Sequence, residues 1–501
     1  MSARLDVLLV LEGTYPFVKG GVSTWAHELI SGLPQYSFGI VFLGSRKADY
    51  QGYQYTLPAN VVHIEEHFLF DDARPTSSAQ KPELRAADAT VEQAIAGLHV
   101  TLRDTEIPLP RAREWNDGQS PIGRTVFYES ESAWNYLCTR YQDVAEADSF
   151  VDYFWTVRNM HAPLWLLARI LEKLPQAALV FAPSTGYAGL LASMYADERH
   201  APFVVMEHGL YTRERRIDMM NADWIRDRRN FLQTHAAEVS HLRNLWVSFF
   251  ETISRRVYAN ARQVLSLFER ARRQQIADGA APQRTRIVPN GVEIARFAAL
   301  RRPAGTAPPP VVALIGRVVP IKDLKNFIRA AALLQRRLPG LQAWIVGPTD
   351  EDQAYAYECM DLVRSLGVEE VVHMLGYRKV DEILPQIGLC VLSSISEGQP
   401  LSLLESFAAG IPVVATDVGA CRELIEGSNA DDDVPGLAGR VVGIADPDAL
   451  AAAALELLTD AAAYADAAAV ATARVQRRYD RARMLATFDA LFSGVIKQWP
   501  A

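Results

Sequence analysis

The chain has 501 residues, 49% of them hydrophobic and 22% charged, with a formal net charge of −8. Such a length exceeds one ordinary domain, and such a composition suits a soluble globular protein with sizeable cores. The acidic balance argues against a general nucleic-acid binder, which usually carries a basic excess.

The apolar run Val7 to Leu11 is too short for a signal-peptide core, and Glu12 ends it. No later stretch approaches a membrane-spanning length, so a cytoplasmic protein is expected. Four scattered cysteines, Cys138, Cys359, Cys390 and Cys421, include no CxxC pair. Free thiols in a reducing compartment are expected rather than a zinc site or disulfides.

Val7–Leu11 reads as a parallel strand buried on both faces. Gly20-Gly21 comes next, then a helix over 22–33 that Ser23 or Thr24 could cap, then a strand over 38–43. Strand, glycine loop, helix and strand open a doubly wound α/β domain. Residues 64–150 lack a clear period and read as an insertion. Beyond them a helix is expected over 164–174, a strand over 178–181, a helix over 187–195 and a strand over 203–206. Further strands are expected over 261–267 and 286–292. The proline-rich stretch 301–310 reads as a linker.

A second series starts at once. Strands are expected over 311–315, 341–346, 371–374, 389–392 and 413–415, with helices including 326–338 and 401–409, and an alanine-rich helical tail after 447. The expected organisation is a first Rossmann-like domain over 1–300, a linker over 301–310, a second such domain over 311–480, and a final helix over 481–501 returning to the first. A cleft between two such sheets, at the carboxyl ends of their strands, is the default ligand site.

Four features could carry chemistry. Gly20-Gly21 would let backbone N–H groups approach a phosphate, although a plain turn uses glycines equally well. Arg317 and Lys322 come after the first strand of the second half; a guanidinium fork and a compact ammonium could neutralise a diphosphate, or they could be two solvated cations. Glu397 and Gly398 lie in a loop before a helix, and Glu405 lies within that helix; carboxylates there could accept from sugar hydroxyls, or simply favour a helix start. His208 ends an apolar strand, where a satisfied structural histidine is the plain alternative. Asp431-Asp432-Asp433 sits among Gly, Ser, Asn and Pro and reads as a solvated loop rather than a metal site. Arg213-Glu214-Arg215-Arg216 is too short and interrupted for a nucleic-acid patch.

The glycine pair, the Arg317…Lys322 spacing and the Glu397…Glu405 spacing, in that order, resemble the retaining glycosyltransferases of the glycogen-synthase and sucrose-synthase type, the GT4 family. The segments 12–25 and 400–405 further resemble the soluble glycosyltransferases of the Pel exopolysaccharide system. The resemblance implies the GT-B fold, with the first domain on the acceptor side and the second binding the nucleotide-sugar, a UDP-sugar donor such as UDP-glucose or UDP-N-acetylgalactosamine, a glycan acceptor, and docking to inner-membrane Pel-type synthase proteins. It implies that Arg317 and Lys322 hold the diphosphate, Glu397 and Gly398 meet the donor sugar, and Glu405 meets the ribose. Gly20 and Gly21 would close over the phosphates, Asp417 and Gly419 would line the donor site, and His208 would lie near the reacting sugar. Arg317, Lys322, Glu397 and His208 form the expected catalytic set, with no metal and no cofactor. Two other readings fit the same motifs: a nucleotide-sugar epimerase, and a catalytically silent nucleotide-sugar-binding subunit of a polymer complex.

Overall fold

The computed structural model describes residues 4–71, 88–102, 104–105, 108–116, 120–145, 148–222, 224–225, 240–303, 305–428 and 434–497. Asp431, Asp432 and Asp433 lie outside the described residues, as does part of the 64–150 region. The chain divides into two compact units. Unit 1 comprises 1–266, 272–286 and 489–501, and unit 2 comprises 267–271 and 287–488.

The sheet of unit 1 contains β1 (Leu5–Glu12), β2 (Phe38–Gly44), β3 (Val61–Phe68), β4 (Ala177–Ala182), β5 (Phe203–Glu207), β6 (Gln263–Ser266) and β7 (Thr285–Ile287). Its order is β3-β2-β1-β4-β5-β6-β7, and β1 pairs in parallel with both β2 and β4. Val7, Leu8, Leu9 and Val10 are fully buried, as a central parallel strand covered on both faces requires. Strand order reverses direction at β1, so the crevice beyond the carboxyl ends of β1 and β4 is the topological switch point.

Unit 2 repeats this plan with β8 (Val311–Ile315), β9 (Gln342–Val346), β10 (Val372–Gly376), β11 (Leu389–Leu392), β12 (Val413–Thr416) and β13 (Gly439–Val442). The order is β10-β9-β8-β11-β12-β13, with every neighbour parallel. Its switch point lies between β8 and β11.

The fold differs from the sequence expectations in several places. Residues 61–68 form strand β3 instead of opening an insertion; β3 is an edge strand, and His63, Glu65 and His67 alternate along it rather than forming an apolar run. Much of the chain between β3 and residue 150 is helical, at 89–101, 112–116, 124–129 and 131–144. The helix expected from 164 starts at Phe150, where Ser149 caps it, and runs through Pro163. The helix Gly21–Gly32 has Gly20 at its N-cap position and no side-chain cap. Ser23 is instead buried, and Thr24 Oγ1 lies 3.3 Å from the Tyr55 hydroxyl. Of the strand expected over 286–292 only Thr285–Ile287 forms.

Residues 301–310 count with unit 2, because arginines anchor the stretch there. Arg301 Nε donates to the Ala408 carbonyl at 2.9 Å, and Arg302 Nη1 to that of Ile387 at 2.6 Å. The last helix, Arg481–Lys497, belongs to unit 1 from Asp489 onward. There Tyr36 donates to Asp489 Oδ1 at 2.8 Å, and the Phe492 ring lies 5.7 Å from that of Tyr36 and 6.0 Å from that of Phe181.

Candidate active site

In unit 2 the loops after β8, β11 and β12 converge. Gly316 and Arg317 leave β8 so close to the neighbouring loop that a Cβ on Gly347 would lie 1.9 Å from the Gly316 carbonyl oxygen. The chain then makes a short turn, Pro320–Lys322, and Asp323 (φ 43°) caps the helix Leu324–Leu334 by accepting from Asn326 N–H at 3.3 Å. Ser393 Oγ reaches the carbonyls of Lys322 and Asp323, each at 2.9 Å, and Ile395 N–H donates to the Ile321 carbonyl at 2.8 Å. The loop after β8 is thus fixed onto the loop after β11.

This fixing brings Lys322 Nζ to 2.5 Å from Glu397 Oε1, and Ser394 Oγ donates to the same oxygen at 2.6 Å. Both charged side chains are largely shielded, 17% and 11% exposed. A shielded carboxylate needs such donors, because burying it alone is costly. Ser394 is in turn held through its carbonyl by Thr416 Oγ1 at 2.6 Å, tying in the loop after β12.

Gly419 closes the arrangement. Its φ of +52° is left-handed, and a Cβ there would lie 2.2 Å from the Gly398 oxygen and 2.4 Å from the Glu397 oxygen. Ala420 N–H donates to the Gly398 carbonyl at 2.9 Å. Gln399 Oε1 accepts from Asn290 N–H at 2.7 Å, fixing the same loop from its other side. The helix Leu401–Ala408 starts at once, with Pro400 as an N-cap that offers no side-chain acceptor. First-turn N–H groups and an ammonium are chemically suited to hold phosphate oxygens.

The remaining expected residues of unit 2 lie differently. Arg317 is about half exposed and pairs with Glu351, its Nη1 lying 2.5 and 2.7 Å from the two carboxylate oxygens. Asp417 is a structural carboxylate here, accepting from Arg422 Nη2 at 2.9 Å. Glu405 is half-buried within its helix, and its charge is among those that raise the pKa of Arg296, after the hydrogen bonds that Arg296 donates to Asp381.

In unit 1, Gly20 is extended (φ 170°), and a Cβ on Gly20 or Gly21 would meet nothing within 4 Å. Nothing within the described residues therefore demands glycine there, and the loop is open to close approach. His208 comes directly after β5 with its ring 4.4 Å from that of Trp25, edge-on. Its Nε2 is buried and has no protein partner among the described residues. Burial pushes its pKa down to about 3, so the ring is neutral at neutral pH. Arg215 and Arg216 pair with Asp218 and Glu251 rather than forming a bare basic patch.

Several residues beyond the motifs prove central. Ser394 supports Glu397. Glu207, 2% exposed, accepts from Thr185, Tyr258, Gln275 and the Tyr211 N–H. Burial raises its pKa against those four donors. Glu12 accepts from Ala188 N–H and the Tyr211 hydroxyl, each at 3.1 Å. An acid closing an apolar strand was the available signal for both Glu12 and Glu207. Among the described residues no group of three or more His, Cys, Asp and Glu side chains is arranged to hold a metal ion. No described helix is long and apolar enough to cross a membrane.

Known proteins share this architecture. Residues 309–460 match the family model for glycosyl transferases group 1. The chain is 35% identical over 170 residues to the D-inositol 3-phosphate glycosyltransferase of Nocardia farcinica, covering 32% of this chain and 38% of that protein. It is 31% identical over 247 residues to the phosphatidyl-myo-inositol mannosyltransferase of Mycolicibacterium smegmatis, covering 48% and 59%. The chain thus spans well under two thirds of the length of the curated relatives it matches. Two solved structures match nearly end to end. Anabaena Alr3699/HepE in complex with UDP superposes with a TM-score of 0.57 at 15% identity, covering 97% of this chain and 99% of that one. The sucrose-phosphate synthase of Thermosynechococcus elongatus superposes with a TM-score of 0.58 at 15% identity, covering 98% and 99%. The two Rossmann-like units are therefore those of the GT-B fold. Residues 5–283, more than half of the chain, match the model for the domain of unknown function DUF3492, and the chain belongs to that family.

Proposed function

We propose that the chain is a group 1 glycosyltransferase that moves a hexose from a UDP-sugar to a growing glycan, with retention of anomeric configuration. The observation that carries this reading is the switch point of unit 2. There the short pair Lys322–Glu397 lies beside the uncapped start of the helix Leu401–Ala408, within the segment that matches the group 1 model. Complexes of HepE with UDP, with UDP and glucose, and with UDP-glucose support a UDP-sugar donor.

In this reading Lys322 and Arg317 take the diphosphate, Glu397 and Gly398 meet the donor sugar, Glu405 meets the ribose, and Gly20 and Gly21 approach the phosphates. Asp417 and Gly419 shape the donor loop. The bond from the anomeric carbon to the β-phosphate oxygen breaks as the acceptor oxygen attacks from the same face. The acceptor proton passes to the departing diphosphate, whose charge the two cations stabilise. Double displacement needs a carboxylate opposite the leaving group, and Glu397 instead stands with the cation. A neutral His208 would orient the sugar rather than act as nucleophile.

The resemblance of segments 12–25 and 400–405 to PelF supports a Pel-type polymer, UDP-glucose or UDP-N-acetylgalactosamine as donor, and inner-membrane synthase partners. A thermal-shift panel of nucleotides and nucleotide-sugars, together with product-anomer assignment by NMR, tests the reading. Selective stabilisation by UDP and its sugars is expected. Indifference to all of them, or an inverted product, would overturn it.

A further inference from the structure

We propose that Tyr15, His27 and Tyr55 are positioning residues for the Gly20-Gly21 loop: they brace its two arms so that the exposed tip holds one conformation. That the tip meets a phosphate rests on the glycosyltransferase reading; the brace itself rests on the geometry within unit 1.

The loop runs from the end of β1 at Glu12 to the helix Gly21–Gly32. Its first arm is buried at Tyr15 and Phe17, whereas Val18, Lys19, Gly20 and Gly21 are exposed. Glycine loses more conformational freedom on ordering than any other residue, so a free loop with two glycines is unfavourable to order around a ligand. Fixing both arms leaves only the short tip to be ordered.

The segment 50–55, which comes after β2, supplies that fixing. The Tyr50 hydroxyl accepts from Ser45 N–H at 3.2 Å, and Tyr53 O–H donates to Glu66 Oε1 on β3 at 2.5 Å, so the segment is itself anchored. On the first arm, Gln54 N–H donates to the Pro16 carbonyl at 2.8 Å, and the Phe17 ring lies 5.5 and 5.0 Å from the rings of Tyr50 and Tyr53. Tyr55 reaches both arms. Its ring lies 5.2 Å from that of Tyr15 and 5.3 Å from that of His27, and its hydroxyl lies 3.3 Å from Thr24 Oγ1. The arms also meet directly, with the Tyr15 hydroxyl 3.3 Å from His27 Nδ1.

Core packing explains Phe17 among its aromatic neighbours. It does not explain Tyr15, which is fully buried and carries a hydroxyl that phenylalanine would avoid, since a buried hydroxyl has to be paired. That pairing ties residue 15 to residue 27 across the loop. Gly20 offers the helix no side-chain cap, so the contacts of Thr24 and His27 also fix where the helix starts. Its first N–H groups then keep one direction, as phosphate binding at a helix start requires.

Hydrogen–deuterium exchange of the amides in 13–24, with calorimetric titration of UDP, tests the brace on the full chain. His27→Leu removes the polar partner of Tyr15, His27→Asn keeps one near the place of Nδ1, and Tyr55→Leu removes the ring that touches both arms. Tyr15→Phe removes only the hydroxyl, and carries the same test should a leucine variant fail to fold. Exchange in 13–24 should rise about tenfold in the two leucine variants and about threefold in Tyr15→Phe, while exchange in β1 stays at the wild-type level. UDP affinity should fall by about the same factors, and stay within about twofold of the wild type in His27→Asn. Unchanged loop exchange in the folded variants would overturn the brace. Faster exchange with wild-type UDP affinity would overturn the positioning role. Faster exchange in variants of a chain that binds no UDP would instead sink the glycosyltransferase reading and leave the brace standing.

Discussion

The Lys322 ammonium and the Glu397 carboxylate meet at 2.5 Å across two loops that leave different strands, and Ser394 shares the same carboxylate oxygen. Arg317, five residues before Lys322, instead sits half exposed on Glu351. The two cations should therefore differ in what they do for the fold. Lys322→Ala strands a shielded carboxylate on one hydroxyl and should cost about 1–3 kcal/mol. Glu397→Gln in the same chain should recover most of it. Arg317→Ala should change stability by less than about 0.5 kcal/mol, as exposed pairs do. Urea unfolding of the four proteins checks the contrast; equal losses in both single variants would refute it.

Gly419→Ala should disturb the site through backbone alone. The position is left-handed, and the new methyl would collide with the carbonyls of Glu397 and Gly398. A loss of about 1–3 kcal/mol is expected, together with weaker UDP binding, because those carbonyls position the proposed donor loop. Wild-type stability and affinity would show that the loop tolerates displacement.

His208 predicts a pH dependence. Its folded pKa of about 3 lies below its ordinary value of 6.5, so the unfolded chain binds the proton more readily. Its contribution is complete above pH 6.5 and is lost as pH falls through the interval down to 3. At about pH 5 the loss from this residue should be at most about 2 kcal/mol. His208→Gln should flatten the decline between about pH 7 and pH 5 in denaturant melts. An unchanged slope would mean that the ring is solvated.

Turnover should not require a divalent metal, because Lys322 and Arg317 supply the positive charge the leaving diphosphate needs. UDP release after exhaustive chelation is the measurement. Complete loss restored by manganese or magnesium would show that a metal carries the charge instead.

The second half of the chain is the most legible from sequence. Strands β8, β11 and β12 are continuous apolar runs, and Lys322 and Glu397 stand at fixed offsets beyond them. Arg317 shows the limit of spacing as a guide: it places the residue beyond β8, but only the fold shows that Glu351 holds it. Edge strand β3 is hard to see in the sequence because one of its faces carries His63, Glu65 and His67. The boundary near residue 286 is also hidden, since a proline-rich stretch reads as a linker until Arg301 and Arg302 are seen bonded to Ala408 and Ile387. Glu12 and Glu207 are visible as acids closing apolar strands, but Ala188 and Tyr211, which hold Glu12, and Tyr258 and Gln275, which hold Glu207, lie far along the chain, where no local pattern reveals them.

In the proposed donor site Lys322, poised by Glu397, binds the diphosphate of a UDP-sugar. Calorimetric titration of UDP into the wild type and into Lys322→Ala, at a temperature where both are folded, tests it directly. Saturable binding to the wild type is expected, weakened about thirtyfold or more in the variant, the equivalent of about 2 kcal/mol or more. No UDP binding by the wild type, or equal affinity in both proteins, would contradict it.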